Sequence, residues 1–174
     1  VMFGPRNLGW EMQKIVVKVQ QALEMARVSD LAERHPYDLS PGERKRVALA
    51  SVLAMDTPVV VLDEPTTGQD HAGVELVGEV VEQLKRAGKT IITVTHDVDF
   101  AAEHFDRVAV MAGGRLLTVG DCREVLSKVD VLAESFVEPP QLIRLAMRLE
   151  MSSRPRSVDD FITMWMYEVK MRRG

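Results

Sequence analysis

Val59-Val60-Val61-Leu62-Asp63-Glu64 joins four consecutive apolar residues to two adjacent carboxylates. Continuous β-branched runs of this kind are typical of strands that are buried on both faces of a parallel sheet. The stretch from Thr90 to Thr95 repeats the pattern. Between the two runs, apolar residues recur at helical spacing from His71 to Ala87, and Gly88 ends the predicted helix. The sequence therefore predicts a strand–helix–strand unit with two parallel strands.

Two further helices are predicted on the amino-terminal side of this unit. Apolar residues spaced by three or four positions predict an amphipathic helix from Glu11 to Arg27. A second helix is predicted from about Pro41 to Ala54. Ser40 and Glu43 have the spacing of a capping box at its start, and Pro41 suits the first helical position.

The carboxy-terminal part is predicted to contain a hairpin followed by helices. Arg107–Met111 and Leu116–Val119 are two short apolar segments separated by a pair of glycines. From Asp121 onward the pattern is mostly helical, with a break at Pro139-Pro140. A polar linker over Ser152–Ser157 precedes a final predicted helix from Val158 to about Arg172.

Composition indicates one globular domain with a possible appendage. The chain has 174 residues, of which 46% are apolar and 28% charged. It contains no run of about 18 apolar residues, so we expect any link to a membrane to be indirect. The single cysteine, Cys122, fits a reducing compartment. A formal charge of −4 argues against a nucleic-acid partner.

Polar residues follow both predicted strands where each strand ends. Asp63 and Glu64 end the first strand, and His96 follows the second. Ligands of open α/β sheets bind beyond the carboxyl ends of the strands, so these side chains are candidates for phosphoryl-transfer chemistry. One carboxylate could hold Mg²⁺ while the other faces the attacking water. Taken singly, a polar turn and a hydrogen-bonded histidine would explain the same residues.

The predicted start of the helix at Pro41 offers a second candidate site. A helix N-terminus presents free N–H groups and the positive end of the helix dipole, which together attract anions. A capped helix that touches no ligand would explain Ser40 and Glu43 equally well. The order and spacing of the separate signals are more informative than any one of them.

Four motifs, read in order, resemble those of the ATP-binding-cassette (ABC) ATPases. They are Leu39–Glu43 (LSPGE), Val60–Thr66 (VVLDEPT), Gly68–Asp70 (GQD) and Thr95–Asp97 (THD). They resemble the signature motif, Walker B, D-loop and switch histidine of that family. The resemblance extends over about Gly4 to Pro140.

The resemblance implies ATP and Mg²⁺ as cofactors and assigns the catalytic roles. Asp63 would position Mg²⁺ through water, Glu64 would polarise the attacking water, and His96 would contact the γ-phosphate. These assignments make Glu64 and His96 the candidate catalytic residues and Asp63 the candidate metal residue.

The resemblance also implies a second ATPase subunit, because two such subunits sandwich two ATP molecules head to tail. Ser40 and Gly42 would bind the γ-phosphate held by the other subunit, and Asp70 would couple the two sites. Glu43 completes the candidate cofactor-binding set. The second subunit could be identical or merely related.

The fold implied is α/β: a partial P-loop NTPase core with parallel strands, a piece of the helical subdomain and a helical C-terminal extension. The division we expect is residues 1–57 for the helical subdomain with the signature motif, 58–127 for the core portion and 128–174 for the extension. The extension could pack between two ATPase subunits or on its own domain.

Several segments resemble one branch of the family, the ATPases of energy-coupling-factor and cobalt-type importers. These are Phe3–Gly9, Arg46–Ala50, Leu53–Met55 and Glu138–Gln141. This branch powers the uptake of metal ions or vitamins. Its ATPases bind transmembrane subunits, so the chain would be cytoplasmic and peripheral at the inner face of the membrane.

Three residues depart from the usual family motifs. The signature usually reads Leu-Ser-Gly-Gly-Gln, so Pro41 and Glu43 differ, and Gln69 replaces the leucine of the D-loop. Pro41 removes one N–H that could have faced phosphate. A carboxylate close to phosphate would be unfavourable, so we expect Glu43 to turn back toward its own helix cap.

The sequence nowhere contains the Gly-x-x-x-x-Gly-Lys-[Ser/Thr] phosphate loop, and the glutamine loop and adenine-stacking aromatic residue are also missing. In the family sheet, the phosphate-loop strand lies between the strands ending at Thr95 and Met111. We therefore expect a gap in the sheet, a chain that is a piece of a longer one, and no normal ATP binding by this piece alone.

Two other functions fit parts of the pattern. An ABC-type ATPase of DNA repair or chromosome maintenance shares the motif order, but such proteins carry long coiled coils and no sustained heptad pattern is present here. A non-catalytic module would keep the fold without the chemistry. The presence of Glu64 disfavours that reading.

Overall fold

The computed structural model describes Val1–Arg173, which form two compact units. The first runs from Val1 to Val94 and the second begins at Thr95. The first unit contains α1 (Phe3–Asn7), α2 (Met12–Met25), α3 (Pro41–Leu53), β1 (Val59–Asp63), α4 (His71–Arg86) and β2 (Thr90–Val94). The second contains α5 (Val98–His104), β3 (Arg107–Ala112), β4 (Arg115–Asp121), α6 (Cys122–Val125), α7 (Val129–Glu134), α8 (Gln141–Arg148) and α9 (Val158–Arg173).

Helices α2 and α3 pack together through small and branched apolar side chains. Two short 3₁₀ turns, Ser29–Leu31 and Pro36–Asp38, connect them. The residues that share this core are Ala22, Leu23, Ala26, Val28, Leu31, Leu39, Ala50 and Ala54. Both helices confirm the sequence predictions to within two residues at each end. Leu39 is buried in this core, and it immediately precedes Ser40, so its packing holds the turn that begins α3 in place.

Strands β1 and β2 are parallel, as the sequence predicted. Their register pairs Val59 with Thr90 and Asp63 with Val94. Helix α4 forms the crossover, and its apolar stripe of Val77, Val80, Val81 and Leu84 is buried together with Val60 and Leu62 of β1. This burial brings the carboxyl end of β1, where Asp63 lies, to a fixed position.

The prediction that these strands are buried on both faces is wrong for the part of the chain that the structure describes. Val61 is 59% exposed and Val94 is 55% exposed. Alternate residues of β1 face α4, but the opposite face borders an open cavity that also contacts Leu49 and Val52 of α3. Nothing within the first unit fills that space. The sequence pattern therefore identifies two apolar faces, but within this unit only one of them is packed.

A carboxylate clamp ties α2 to the amino-terminal ends of the two strands. Asp56, in the turn after α3, accepts from Lys18 of α2 at 2.7 Å and from Lys89 at 2.5 Å. The Lys89 ammonium also donates to the Asp56 and Thr57 carbonyls at 3.1 and 2.9 Å. Hydrogen bonds from Lys18 and then Lys89 lower the pKa of Asp56. The clamp fixes α2 relative to the turn that leads into β1.

The second unit is built on the predicted hairpin. Strands β3 and β4 are antiparallel and turn at Gly113 and Gly114, both of which have the positive φ that glycine adopts readily. Cys122 is buried in the core of this unit, and burial raises the pKa of its thiol. Among residues 1–173, β1–β2 and β3–β4 form two separate two-stranded sheets, and the gap expected between β2 and β3 stays a prediction.

The helical extension is anchored within the second unit by polar contacts around its linker. Arg156 donates to the carbonyls of Ala102 at 2.7 Å and Phe105 at 2.9 Å. Glu168 of α9 accepts from the backbone N–H and hydroxyl groups of Ser152 and Ser153. The predicted linker and final helix are therefore confirmed. The three-part domain division remains a prediction.

Within the described part of the chain, no helix combines the length and the hydropathy needed to cross a bilayer.

Candidate functional site

The turn that begins α3 forms the capping box that the sequence predicted. The Ser40 hydroxyl accepts from the Glu43 N–H at 3.3 Å, and the Glu43 carboxylate accepts from the Ser40 N–H at 2.7 Å. The hydrogen bond from the Ser40 backbone lowers the pKa of Glu43. Glu43 therefore turns back toward its own cap, as expected. Its place in the cofactor-binding set remains a prediction.

A cavity of about 390 Å³ lies beside this turn. Its lining includes all four residues of the predicted cofactor-binding set, Ser40, Gly42, Glu43 and Asp70, and the guanidinium-bearing Arg27 and Arg46. Arg27 forms a two-point ion pair with Glu79 of α4, at 2.7 and 3.0 Å. The helix N-terminus and Arg46 both favour an anion in this cavity. The structure thus brings the four residues of the predicted cofactor-binding set together around one cavity.

Gly42 leaves open space at the start of α3. A Cβ atom built on it would meet only the Gln69 side chain, at 3.8 Å, which is ordinary van der Waals separation. The packing of this unit therefore does not require glycine at position 42. The bare backbone instead allows a ligand to approach the N–H groups of the first helical turn closely.

The two adjacent carboxylates at the end of β1 occupy different environments. Asp63 is the last residue of β1 and is exposed. Glu64 adopts a left-handed backbone conformation with φ of 46°. Its N–H donates to the Val94 carbonyl at 2.8 Å, and its carboxylate accepts from the Thr67 hydroxyl at 3.0 Å. Both residues line a second cavity, of about 420 Å³, between β1 and α3.

Asp63 is a suitable ligand for Mg²⁺, which prefers carboxylate oxygens. Among the described residues, no group of three or more His, Cys, Asp or Glu side chains could hold a metal ion. A single exposed carboxylate fits the way proteins hold Mg²⁺ in nucleotide sites, where water and phosphate oxygens complete the coordination. The donor set therefore fits a magnesium–nucleotide complex better than a protein-only metal cage.

Asp70 and His96 have different structural settings. Asp70 is the N-cap of α4, and its carboxylate accepts from the Gly73 N–H at 2.8 Å. Helix capping therefore accounts for part of its role. His96 belongs to the second unit, where it is exposed just before the Asp97 cap of α5. The proposed contact between His96 and a γ-phosphate remains a prediction.

Sequence reasoning missed two residues at this site, Lys45 and Thr67. The Lys45 ammonium of α3 donates to the Thr67 carbonyl in the loop that follows Glu64. The position of Thr67, three residues after Glu64, was a usable signal, because side chains at that spacing often meet across a turn. The lysine contact joins residues 22 positions apart and had no local signal.

Comparison with known proteins decides the family. A family model described as "ABC transporter" matches residues 5–67. The solved structure of cbiO1 from Clostridium perfringens, described as part of the ABC transporter complex cbiONQ, matches with a TM-score of 0.65 and 35% identity. That match covers 86% of this chain and 59% of cbiO1. The chain belongs to the ABC transporter ATPase family.

Curated relatives from this family carry importer names. The cobalt import ATP-binding protein CbiO of Rhodobacter capsulatus is 42% identical over 90% of this chain and 54% of its own length. The energy-coupling factor transporter ATP-binding protein EcfA of Methanosphaera stadtmanae is 37% identical over 86% of this chain and 54% of its own length. This ABC ATPase chain therefore spans about half the length of these two relatives.

Proposed function

We propose that this ABC ATPase chain is part of the ATP-binding and ATP-hydrolysing subunit of an energy-coupling-factor or cobalt-type importer that powers uptake of a metal ion or vitamin. The observation that carries the proposal is the arrangement in the first unit. Asp63 ends β1 and Glu64 follows it, and the open, capped start of α3 lies on the same unit. The similarity to proteins named CbiO and EcfA supports the importer branch.

Each carboxylate has a separate task in the proposed reaction. Bound Mg²⁺ would neutralise charge on the phosphates of ATP. The exposed Asp63 side chain would hold that ion through water. The Glu64 carboxylate would orient the attacking water and accept its proton, with its position fixed by the Thr67 hydroxyl. His96 would contact the γ-phosphate from the start of the second unit.

The turn that begins α3, Leu39–Glu43, is called the signature turn below. It would bind a nucleotide that a second ATPase subunit holds. In a head-to-tail pair of ATPase subunits, Ser40 and Gly42 would meet the γ-phosphate of a nucleotide that the phosphate loop of the second subunit holds. Asp70, on the same cavity, would couple that site to the partner. The assembly would include a like or related ATPase subunit and transmembrane subunits, and it would lie at the inner face of the membrane.

The proposal is tested by the hydrolysis of MgATP by the full-length gene product, purified with the membrane proteins that accompany it. We expect hydrolysis that rises when the membrane subunits are present and that does not change when duplex DNA is added. DNA retention at moderate salt should be negligible, because the chain carries a net charge of −4. Hydrolysis stimulated by DNA, with retention on it, would instead favour the DNA-maintenance branch.

A further inference from the structure

A short series of hydrogen bonds links α3, the signature helix, to the carboxylate of Glu64. Lys45 lies on the turn of α3 that follows the cap, and its ammonium donates to the Thr67 carbonyl. The hydroxyl of the same threonine donates to the Glu64 carboxylate at 3.0 Å, and its N–H donates to the Glu64 carbonyl at 3.3 Å. Thr67 is therefore held on one side by α3 and itself holds Glu64 on the other.

The backbone of Glu64 needs such support. Its φ of 46° lies in the left-handed region that non-glycine residues seldom occupy. Residues in such conformations persist when their surroundings hold them, and they are common at functional sites. The Val94 carbonyl fixes the Glu64 N–H at 2.8 Å. The Thr67 hydroxyl is a contact that directs the Glu64 carboxylate.

We propose that Lys45 and Thr67 are positioning residues for Glu64, through which the signature helix of this chain controls its own catalytic carboxylate. The inference rests on the proposed ATPase function, because it assigns Glu64 the role of orienting water. It adds two residues to the site and gives them one joint task.

We call the contacts from Lys45 to Thr67 and from Thr67 to Glu64 the relay. Through the relay, hydrolysis of one nucleotide depends on whether the other nucleotide is bound at the start of α3. Phosphate bound at Ser40 and Gly42 pulls on the first turn of α3, and Lys45 lies within the next turn. Any shift of that helix moves the Thr67 carbonyl and, with it, the hydroxyl that directs Glu64. A nucleotide held by the partner subunit therefore biases the carboxylate that acts on the other nucleotide.

The exposure of the relay argues against a mainly structural role. Lys45 and Thr67 are both exposed, and their hydrogen bonds lie at the surface. Surface contacts of this kind contribute little to folding stability. Their removal should therefore leave the fold intact while releasing the carboxylate, which separates a positioning effect from a folding defect.

The first test replaces the hydroxyl of the relay in the full-length gene product assembled with its partners. Thr67→Val keeps the shape of the side chain and removes the donor to Glu64. We expect kcat for MgATP to fall roughly ten-fold while KM changes less than about two-fold, because the lost contact orients the carboxylate and does not touch the nucleotide. Thr67→Ser, which keeps the hydroxyl, should restore most of kcat.

The second test breaks the other link. Lys45→Met should lower kcat in the same way, and Lys45→Arg should recover it in part. Because both contacts act through Thr67, the double variant Lys45→Met/Thr67→Val should be no slower than Thr67→Val alone. Thr57→Val is the matched control, since its hydroxyl donates to the Val59 carbonyl at the opposite end of β1. It should leave kcat unchanged.

The outcomes separate this inference from the proposed function. If Glu64→Gln abolishes hydrolysis but Thr67→Val and Lys45→Met keep the parental kcat, the relay is wrong and the ATPase assignment stands. If Glu64→Gln itself keeps the wild-type rate, the catalytic role of Glu64 fails and the relay fails with it, whereas the proposed ATPase function fails only if the wild-type assembly does not hydrolyse MgATP. Equal losses from Thr67→Val and Thr67→Ser, or strictly additive losses in the double variant, also contradict the relay.

Discussion

Glu64→Gln is expected to lower the rate of MgATP hydrolysis by about a thousand-fold in the assembled ABC ATPase. The amide matches the carboxylate in size and can still accept from the Thr67 hydroxyl, so the loop should keep its geometry. It cannot accept a proton from water, which is the step that the proposal assigns to Glu64. Phosphate release under saturating MgATP measures the effect.

Binding of ATP should survive this substitution, because Glu64 is assigned to water and not to the nucleotide. Nucleotide retained after rapid gel filtration measures binding separately from turnover. Glu75→Gln, at an exposed position of α4, is a matched control that removes one carboxylate from the same unit and should leave hydrolysis unchanged. Wild-type turnover by Glu64→Gln would show that another group activates the water.

Gly42→Val is expected to have the second-largest effect, a fall in hydrolysis of about a hundred-fold. A Cβ atom at this position meets only Gln69, at 3.8 Å, so the first unit should tolerate a side chain there. The added carbons would occupy the space through which a phosphate reaches the N–H groups at the start of α3. The loss of hydrolysis would therefore come from the composite site, which is the signature turn of this chain together with the nucleotide held by the second subunit. It would not come from unfolding.

Two measurements distinguish these causes for Gly42→Val. The midpoint of thermal unfolding should stay within a few degrees of the parental value, since a Cβ atom at Gly42 has room and valine is no worse than glycine inside a helix. Ala133→Val, at an exposed position of α7, adds the same carbons to a helix of the second unit and should keep full hydrolysis. Parental hydrolysis by Gly42→Val would mean that no phosphate approaches this turn.

The parts of the fold that the sequence predicted correctly are those decided by local signals. The start of α3 follows from Ser40, Pro41 and Glu43, whose capping chemistry acts within four residues. The parallel pairing of β1 and β2 follows from two apolar runs joined by a helix of sufficient length. Gly88, with φ of 75°, marks the end of the crossover as expected.

The sequence did not predict features that depend on what packs against a residue. The valine run of β1 indicated two apolar faces, but only the contact with α4 buries one of them, so Val61 stays exposed. The left-handed conformation of Glu64 depends on the bond from its N–H to Val94, across the sheet. The contact from Lys45 to Thr67 depends on how α3 lies over the loop, which no local pattern reports.

The candidate site was predicted in chemistry more fully than in geometry. The carboxylate pair and the signature turn were recognised because residue type and order specify them. Their grouping into two cavities, and the bond from the Ser40 N–H to the Glu43 carboxylate beside one of them, required coordinates. His96 was singled out by its position after the second strand, but its γ-phosphate role came from the family resemblance alone and continues to be a prediction.

The most direct test of the account is vanadate photocleavage of the full-length gene product assembled with its partners. Orthovanadate takes the place of the γ-phosphate after hydrolysis, and ultraviolet light then cleaves peptide bonds that lie beside it. With MgATP present, we predict cleavage of this chain at the signature turn, between Leu39 and Gly42, identified by the masses of the fragments. A vanadate-inhibited assembly in which this turn stays intact would contradict the proposed composite site.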